Sequence, residues 1–289
     1  MPELPEVETV RRGLEPVMTG VKLLHVEQRR ANLRFAFPPD FVARLEGRTI
    51  TALERRAKYL LGALDSGEVL MIHLGMSGRM TIHQPDAKDT ATVGDFHHRQ
   101  AHYAKHDHVV FHLANNHHVI YNDPRRFGFM VLIGKGELAT HPLLCDLGPE
   151  PLGNSFDAGK LAEALSGSTA PLKSALLDQK KIAGLGNIYV CEALHRAGLS
   201  PFRQAGTLDR HQCEQLTASI RAVLQEAVAA GGSTLKDYAQ ADGSLGYFQH
   251  AFRVYDQEGQ ACPTQGCNGR IERQVQAGRS SFFCAACQT

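Results

Sequence analysis

The spacing of hydrophobic residues near the start of the chain predicts a short amphipathic helix. Val7, Val10 and Leu14 recur at intervals of three and four residues and would share one helical face. Pro5 suits the first turn of a helix, where a missing N–H removes no hydrogen bond. We expect the helix to end near Pro16, because proline disfavours continued helical hydrogen bonding.

The pattern changes to β-structure from about residue 21 to residue 133. Short runs rich in β-branched and aromatic residues follow one another, and several of them alternate between hydrophobic and polar positions. These runs are VKLLHVEQ, TITALERRAKYLLGAL, EVLMIHLGMSG, HVVFHL and HVIYND. Asn115-Asn116 between the last two runs is typical of a hairpin turn. Strands without intervening helices predict an antiparallel sandwich or barrel.

After about residue 148 the hydrophobic spacing predicts helices. They cover Leu161–Leu165, Leu172–Ile182, Ile188–Ala197 and Leu208–Ala230. The polar stretch GSTLKDYAQADGSLGYFQ then predicts a long loop, which is uncommon unless it has a function. Another long loop, at 84–105, runs into the histidine-rich HHRQAHYAKHDH. A metal site there is one interpretation, and a polar exposed loop is the simpler one.

Composition restricts the class of protein. The 289 residues carry a formal net charge of +1, so any basic surface must be local. The chain contains no run of about 18 apolar residues, and we expect no membrane span. The N-terminus is acidic and lacks the apolar stretch of a secretory signal, so we expect a cytosolic protein with reduced cysteines.

Four of the seven cysteines form two pairs near the C-terminus. Cys262 and Cys267 precede a 16-residue spacer, and Cys284 and Cys287 follow it. This spacing predicts a tetrahedral Zn(II) site, with free or disulfide-bonded cysteines as the alternative. Within the spacer, IERQVQ and SSFF would form a two-stranded ribbon with Arg279 in its turn region. Arg279 would then point either to a nucleic-acid phosphate or to solvent.

A glycine-rich turn, Gly184–Asn187, separates two of the predicted helices. Asn187 is a suitable N-cap for the second helix, and a helix N-terminus can bind phosphate. Residues 170–203, which include Lys173, carry an excess charge of +3, the local basicity that the whole chain lacks. An ordinary helical hairpin is the alternative.

Two further basic clusters occur in the β region. Lys58 lies in the run RRAKY, and Arg125 and Phe127 lie in DPRRF. Cations beside an aromatic ring suit a stacked, charged ligand such as DNA. An exposed sheet edge and a solvated turn are the respective alternatives.

The first residues of the chain suggest a specific chemical reaction. If Met1 is removed, Pro2 becomes a secondary amine that is partly neutral and nucleophilic near neutral pH, whereas Met1 would keep that nitrogen as an amide. Such an amine can condense with a sugar C1′ to give an iminium ion, which acidifies the C2′ proton and permits elimination of phosphate. Glu3 is placed to move the required protons. The alternative is that both residues merely precede a helix.

Taken together, these residues resemble the formamidopyrimidine-DNA glycosylase family over nearly the whole chain. The matching motifs are PELPEVE at Pro2–Glu8, RRAKYLL at Arg55–Leu61, HLGMSG at His73–Gly78, KHDH at Lys105–His108, DPRRFG at Asp123–Gly128, LGPEPL at Leu147–Leu152, IAGLGNIY at Ile182–Tyr189, DGSLGYF at Asp242–Phe248 and the paired cysteines. The resemblance implies an α+β fold. An N-terminal antiparallel β-sandwich with a leading helix would cover residues 1–150, and a helical domain with a helix–two-turns–helix motif would cover 151–250. A zinc-ribbon finger would cover 251–289.

The resemblance also implies roles for individual residues. The implied catalytic residues are Pro2 as nucleophile at C1′, Glu3 as proton donor, Lys58 for β-elimination and Arg279 for the δ step. The residues implied to contact DNA are His106, Arg125, Lys173 and Asn187, while Met76, Arg125 and Phe127 would fill the gap left by the flipped base. The loop 233–248 would cover that base, because chemistry at C1′ requires base flipping.

The implied activity is base excision repair. The chain would be a bifunctional glycosylase and abasic-site lyase that removes oxidised purines such as 8-oxoguanine and formamidopyrimidines. We expect one structural Zn(II) ion held by Cys262, Cys267, Cys284 and Cys287, a monomer that binds double-stranded DNA with oxidised bases, and a location in the bacterial cytoplasm with action on the nucleoid. One alternative is an enzyme of the endonuclease VIII type that prefers oxidised pyrimidines. The other is a zinc-containing binder of damaged DNA without catalysis.

Overall fold

The computed structural model describes residues 2–84, 104–233 and 246–289. These residues form two compact units. The first unit contains Pro2, residues 6–84, 104–144 and 231–233, and Gly246. The second unit contains residues 3–5, 145–230 and 247–289, so it holds both the helices predicted after residue 148 and the cysteine pairs. The boundary near residue 250 between helical domain and zinc finger stays a prediction.

The described residues contain helices and strands in the following order. They are α1 (Leu4–Met18), β1 (Leu23–Gln28), α2 (Phe41–Leu45), β2 (Ile50–Arg56), β3 (Tyr59–Leu64), β4 (Val69–His73), β5 (Arg79–His83), β6 (Asp107–Leu113), β7 (His118–Asn122), β8 (Phe129–Ile133), α3 (Ala158–Leu165), α4 (Leu172–Leu177), α5 (Asn187–Arg196), α6 (Arg210–Ala229), β9 (Ile271–Gln276) and β10 (Arg279–Cys284). Single 3₁₀ turns lie at Ala104–His106, Leu138–Thr140, Ala205–Thr207 and Phe248–Ala251. None of the described helices is long and apolar enough to cross a membrane.

Helix α1 is longer than the hydrophobic spacing predicts. It continues past Pro16 to Met18, so the prediction of an end near Pro16 is wrong. Met18 is 2% exposed, and the amide of Thr19 donates to the carbonyl oxygen of Glu15 at 3.0 Å. Burial of this last turn in the core therefore outweighs the hydrogen bond that proline removes.

Two four-stranded antiparallel sheets build the first unit. Their strand orders are β1-β6-β7-β5 and β2-β3-β4-β8. The facing sides supply one hydrophobic core, with Phe111 and Tyr121 from the first sheet and Leu60 and Ile72 from the second. The predicted sandwich is therefore confirmed. The predicted turn between β6 and β7 is also present, and Asn116 adopts a left-handed φ of 63°, which asparagine tolerates.

The helices of the second unit enclose a separate core. Leu216, Ile220 and Leu224, which recur at helical spacing along α6, are fully buried there. Asp209 caps α6, because its side chain accepts from the amide of Gln212 while the side chain of Gln212 accepts from the amide of Asp209. The helical character of this region is therefore confirmed.

Helix α4 is shorter than predicted and ends at Leu177, not at Ile182. The side chain of Gln179 donates to the carbonyl oxygens of Leu177 (3.0 Å) and Leu185 (2.9 Å). Its oxygen accepts from the amide of Gly184 at 2.9 Å, where φ is +83°. These bonds hold residues 178–186 in compact turns between α4 and α5, as the helix–two-turns–helix pattern requires.

Strands β9 and β10 form the predicted ribbon. Arg279 pairs with Gln276, so the two turn residues are Ala277 and Gly278, with φ of 50° and 74°. Two successive positive φ values are typical of a type I′ hairpin turn. Arg279 is thus the first residue of β10 and not a turn residue, and its side chain is exposed.

Candidate functional site

The Glu3 carboxylate lies at the N-terminus of α5. Glu3 is only 3% exposed, and its Oε1 accepts a hydrogen bond from the amide of Ile188 at 3.3 Å. Gly186 precedes the helix with an extended backbone (φ −137°), and a Cβ there would lie 2.1 Å from Cδ of Glu3. The glycine thus leaves the space that the carboxylate occupies. The buried Pro2 precedes Glu3 in the chain.

Asn187 does not cap α5, so that prediction is wrong. Gly186 occupies the N-cap position, and Asn187 is the first helical residue. Its Nδ2 donates to the carbonyl oxygen of Ser280 in β10 at 2.9 Å. Glu3 instead satisfies one of the amides that a helix N-terminus leaves open. The local sequence favoured capping, but a tertiary contact recruits the asparagine side chain.

Lys173 is directed to the same carbonyl group. Its Nζ donates to Ser280 O (2.8 Å) and to Ser281 Oγ (2.7 Å), and the residue is 1% exposed. Burial lowers the pKa of Lys173, and the charge of Arg279 lowers it further. The predicted contact between Lys173 and DNA stays a prediction. In this structure the ammonium group supports the start of β10, directly beside Arg279.

The four paired cysteines converge. The Sγ atoms of Cys262 and Cys287 are 3.6 Å apart, those of Cys267 and Cys284 are 3.7 Å apart, and all four lie within 4.8 Å of one another. A tetrahedron with metal–sulfur bonds of about 2.3 Å has sulfur atoms about 3.8 Å apart, so the cluster fits zinc. A Cβ at Gly269 would lie 2.6 Å from Cys284 Sγ, so only glycine fits beside the cluster.

A histidine that the sequence reasoning missed lies against this cluster. Nε2 of His195 is 3.5 Å from Cys262 Sγ and 3.2 Å from Thr264 Oγ1. Burial lowers the pKa of His195 to about 4, and the charges of Arg253 and Arg196 act in the same direction. A neutral imidazole can donate a single N–H towards a thiolate, which is a typical contact of the second layer around a metal.

In the first unit, Lys58 lies in the two-residue turn between β2 and β3. Arg56 pairs with Tyr59, and Ala57 adopts a positive φ of 52°. The carbonyl oxygen of Ala57 accepts from Arg55 Nη1 at 2.9 Å. Lys58 itself is 9% exposed. The hydrogen bond from Arg55 therefore stabilises the turn, and the Lys58 side chain is mostly buried.

The turn after β4 lies near Lys58 and has a defined protonation state. His73 Nδ1 accepts from the amide of Gly75 at 3.1 Å, so the imidazole carries its proton on Nε2. Burial, together with the positive charges of Lys58 and Arg34, lowers the pKa of His73 to about 4. His73 is therefore neutral at physiological pH, which avoids a second cation beside Lys58.

Two neighbouring turns of the first unit carry the residues that are expected to fill the gap left by the flipped base. These residues are Met76, Arg125 and Phe127, and all three are exposed. Met76 and Phe127 are 37% and 43% exposed, and the guanidinium of Arg125 lies 5.0 Å from the centre of the Phe127 ring. A Cβ at Gly75 would lie 2.3 Å from the amide nitrogen of Gly128. The two turns therefore approach through their backbones, which brings the three side chains to one region of the first unit.

Asp123 joins these two turns, and the sequence reasoning did not identify it. It is fully buried and accepts from Ser77 Oγ (2.6 Å) and from the amide of Gly128 (2.9 Å). Ser77 Oγ in turn accepts from the amide of Arg125 at 3.1 Å. The amide of Asp123 donates to the carbonyl oxygen of His106 at 3.0 Å, so the half-buried His106 belongs to the same region.

Two more buried carboxylates organise backbone amides. Glu6 accepts from the amide of Ser233 at 2.8 Å, at the start of the predicted base-covering loop. Glu192 on α5 accepts from three successive amides, at residues 253–255, at 2.8–3.1 Å. Most of the loop 233–248 and most of the histidine-rich run lie outside the described residues. The sequence signal that could have indicated Glu6 and Glu192 is an acidic residue at a helix position where a buried, hydrophobic side chain is expected.

Comparison with known sequences identifies two domains. The family model of the formamidopyrimidine-DNA glycosylase N-terminal domain matches residues 1–130, and that of the H2TH domain of the same enzymes matches residues 147–239. A curated formamidopyrimidine-DNA glycosylase from Rhizobium leguminosarum bv. trifolii is 58% identical over 300 residues, and one from Beijerinckia indica subsp. indica is 60% identical over 294 residues. Both alignments cover 100% of this chain and 100% of the relative.

Solved structures agree with the sequence relatives. The MutM (Fpg) protein of Thermus thermophilus is similar with a TM-score of 0.83 and 41% identity, over 99% of this chain and 98% of that one. The Lactococcus lactis Fpg in complex with DNA that contains an abasic site has a TM-score of 0.84 and 35% identity, over 100% of both chains. From the full-length identity, the two matched domains and the clustered cysteines, the chain belongs to the formamidopyrimidine-DNA glycosylase family.

Proposed function

We propose that this protein is a base excision repair enzyme that removes oxidised purines from double-stranded DNA and then cleaves the strand at the resulting abasic site. The observation that carries the proposal is the fixed position of the Glu3 carboxylate, 3% exposed and bonded to the amide of Ile188, directly after Pro2. A buried carboxylate next to a chain-terminal amine supplies a proton-transfer group and a nucleophile. The family relationship supports the same assignment.

The first step forms a bond between the enzyme and the sugar. After removal of Met1, the lone pair of the Pro2 nitrogen attacks C1′, and the bond from C1′ to the damaged base breaks with its electron pair on the base. The amine loses its proton, and Glu3 donates a proton to the ring oxygen as the sugar opens. The product is an iminium ion between Pro2 and C1′, and the base leaves after taking up a proton.

The second step breaks the DNA strand. The iminium ion withdraws electrons and acidifies the C2′ proton. Glu3, which is a carboxylate after its proton transfer to the ring oxygen, accepts that proton, and the bond to the 3′ phosphate breaks by β-elimination with its electron pair on the phosphate. Lys58 assists this departure, and Arg279 assists the later loss of the 5′ phosphate, each by binding the departing anion. The 9% exposure of Lys58 supports this role, because a charge that is mostly withdrawn from water attracts an anion more strongly.

DNA is recognised by residues of both turns in the first unit and by the ribbon. Met76, Arg125 and Phe127 occupy the gap left by the flipped base, and His106 contacts the backbone. The exposed apolar surface of Met76 and Phe127 supports this role, because apolar side chains of this kind insert between stacked bases in other DNA-binding proteins. Asn187 and Arg279 bind phosphate beside the lesion, and Lys173 also contacts the DNA. The bonds from Lys173 to Ser280 and Ser281 support the start of β10 beside that contact.

The cysteine cluster holds one structural zinc ion. The residues that hold it are Cys262, Cys267, Cys284 and Cys287. When bound, zinc supplies folding energy to a segment too small for a core of its own. We expect Cys284→Ala to lose the zinc and to weaken DNA binding, whereas Cys145→Ala, an exposed cysteine outside the cluster, keeps both. Zinc content by atomic absorption and binding to abasic-site DNA measure this. Normal DNA binding by a zinc-free Cys284→Ala protein would show that the ribbon does not contribute to the DNA interface.

The test of the activity is borohydride trapping on a duplex that contains 8-oxoguanine opposite cytosine. We expect a reduced adduct on Pro2, with Met1 absent, in mass spectra of the N-terminal peptide. Glu3→Gln should lose base excision and keep DNA binding, while Glu54→Gln, an exposed carboxylate on β2, should keep both. Trapping on an oxidised pyrimidine alone would favour the endonuclease VIII type. Tight binding without any adduct or cleavage would favour a non-catalytic binder.

A further inference from the structure

Four directly paired histidines, one from each strand, lie on the outer face of the sheet β1-β6-β7-β5. His25 pairs with His112, His112 pairs with His118, and His118 pairs with His83. Directly paired residues on antiparallel strands point to the same face, so the four imidazoles form a continuous row. We call this row the histidine ladder. Neither the proposed reaction nor DNA contact uses any of its members.

The centre of the ladder is a tight group with an adjacent carboxylate. The ring centres of His112 and His118 are 4.2 Å apart. Nε2 of His112 lies 2.6 Å from Oε1 of Glu27 on β1, and the two side chains are 25% and 33% exposed. His25 lies on the other side, with its ring centre 5.4 Å from that of His112 and its Nδ1 bonded to Glu46. The group is therefore half-buried but reachable from solvent.

The charged groups around the ladder leave donor atoms for a metal. Oε2 of Glu27 pairs with the guanidinium of Arg29 at 2.8 Å, so Oε1, beside His112, is the oxygen that would face an ion. Partial burial lowers the pKa of His118, and the neighbouring His112 lowers it further, so His118 is neutral near pH 7. A neutral imidazole offers a lone pair on one nitrogen. Two imidazoles and a carboxylate are the donor set that divalent transition metals such as Zn²⁺, Ni²⁺ and Cu²⁺ prefer.

We propose that His112, His118 and Glu27 form a surface site for a divalent transition-metal ion, separate from the four cysteines. Metal–nitrogen bonds of about 2.0–2.1 Å place two ligating nitrogens on one ion about 3.3 Å apart, which rings with centres 4.2 Å apart can reach. Among the described residues, only the four cysteines already hold three ligand atoms within 4.8 Å of one another. Binding at the ladder therefore requires the His118 ring to turn, which a side chain on the solvent side of a sheet does quickly.

The ion would join three strands, because Glu27 lies on β1, His112 on β6 and His118 on β7. The consequence is a metal-dependent stabilisation of the first unit and competition between metal and protons below neutral pH. Affinity is lower than at the thiolate cluster, since the site is not assembled before the ion binds. The proposal does not depend on the proposed enzymatic function.

The experiment is a calorimetric titration of NiCl₂ into the zinc-loaded protein at pH 7.5 and pH 5.5. We expect one additional equivalent of Ni²⁺ at pH 7.5, with affinity at least about tenfold lower at pH 5.5 because the imidazoles become protonated. His112→Gln and His118→Gln should each weaken binding by about tenfold or more, since loss of even an outer-layer partner has that effect. Circular dichroism on each variant verifies folding, and two independent variants keep the test valid if one of them fails to fold.

His117→Gln is the matched control. His117 is adjacent to His118 in sequence, but its Nδ1 faces the carbonyl oxygen of Asn115 in the turn and not the ladder. It should bind Ni²⁺ like the unaltered protein. A second control replaces His97, His98 and His102 with glutamine and should also keep the site. No additional equivalent in the unaltered protein, full affinity in both His112→Gln and His118→Gln, or loss of binding in either control would overturn the proposal.

Discussion

Replacing Gly186 with alanine tests whether the position of the Glu3 carboxylate decides the activity. The backbone of Gly186 has a φ of −137°, which alanine adopts without strain. The new Cβ would lie 2.1 Å from Cδ of Glu3 and 2.3 Å from its Oε1. The carboxylate must therefore move by about 1.3 Å to reach the 3.4 Å of an ordinary van der Waals contact. The atoms that clash are the end of a flexible side chain, so the fold can accommodate the change.

The expected effect on stability is small and the effect on activity is large. Displacement breaks the 3.3 Å hydrogen bond from the amide of Ile188, which contributes about 1 kcal/mol to the free energy of unfolding. A reacting group misplaced by about 1 Å loses about a hundredfold in rate, which corresponds to roughly 2.7 kcal/mol in the activation barrier. We expect Gly186→Ala to lower the single-turnover excision rate about a hundredfold on 8-oxoguanine DNA.

The assay compares four proteins: unaltered, Gly186→Ala, Glu3→Gln and the double variant. If Gly186→Ala acts only through Glu3, adding it to Glu3→Gln should cause no further loss of excision rate. Gly159→Ala is the control, because Gly159 is exposed in α3 and its substitution should leave the rate unchanged. An unaltered rate in Gly186→Ala, or an equal loss with and without the Glu3 carboxylate, would refute the reasoning.

Three further predictions concern buried polar groups. Ser77→Ala removes the 2.6 Å hydrogen bond to the buried Asp123, so we expect the free energy of unfolding in urea to fall by about 2 kcal/mol; an unchanged value would show that Asp123 does not need this partner. The pKa of His73 is lowered to about 4 from an ordinary 6.5, so the unfolded chain takes up this proton first as pH falls. The unaltered protein should therefore lose about 3 kcal/mol more than His73→Asn between pH 6.5 and pH 4, and parallel curves of unfolding free energy against pH would contradict this. Glu192→Ala leaves three amides, one of them fully buried, without their acceptor, so we expect a loss of roughly 3 kcal/mol in the same urea assay, and a loss below 1 kcal/mol would show that water replaces the carboxylate.

The features that could be predicted from the sequence are those that depend on neighbours along the chain. Alternating hydrophobic residues predicted the strands of the sandwich, and the spacing of Leu216, Ile220 and Leu224 predicted α6. The paired cysteines predicted a metal site, and their sulfur atoms do converge. The catalytic assignments to Pro2, Glu3, Lys58 and Arg279 stay predictions that the proposed experiments test.

The features that could not be predicted depend on contacts between distant segments. The end of α1 beyond Pro16 depends on the burial of Met18, and the role of Asn187 depends on the Ser280 carbonyl 93 residues away. Local propensity favoured a helix end at Pro16 and an N-cap at Asn187, because a sequence shows only the hydrogen bonding between neighbouring residues. In both places a tertiary contact outweighed the local preference.

The strands, the main helices, the ribbon and the family follow from the order of residues along the chain, because hydrophobic periodicity and ordered motifs can be recognised without knowledge of the fold. The positions of the buried charged groups depend on the folded chain. Glu3 lies against the amide of Ile188, Lys173 lies against Ser280, and Asp123 lies between two turns. Burying a charge is unfavourable unless partners surround it, and those partners come from segments far apart in the chain. Their arrangement therefore becomes visible only when the chain is folded.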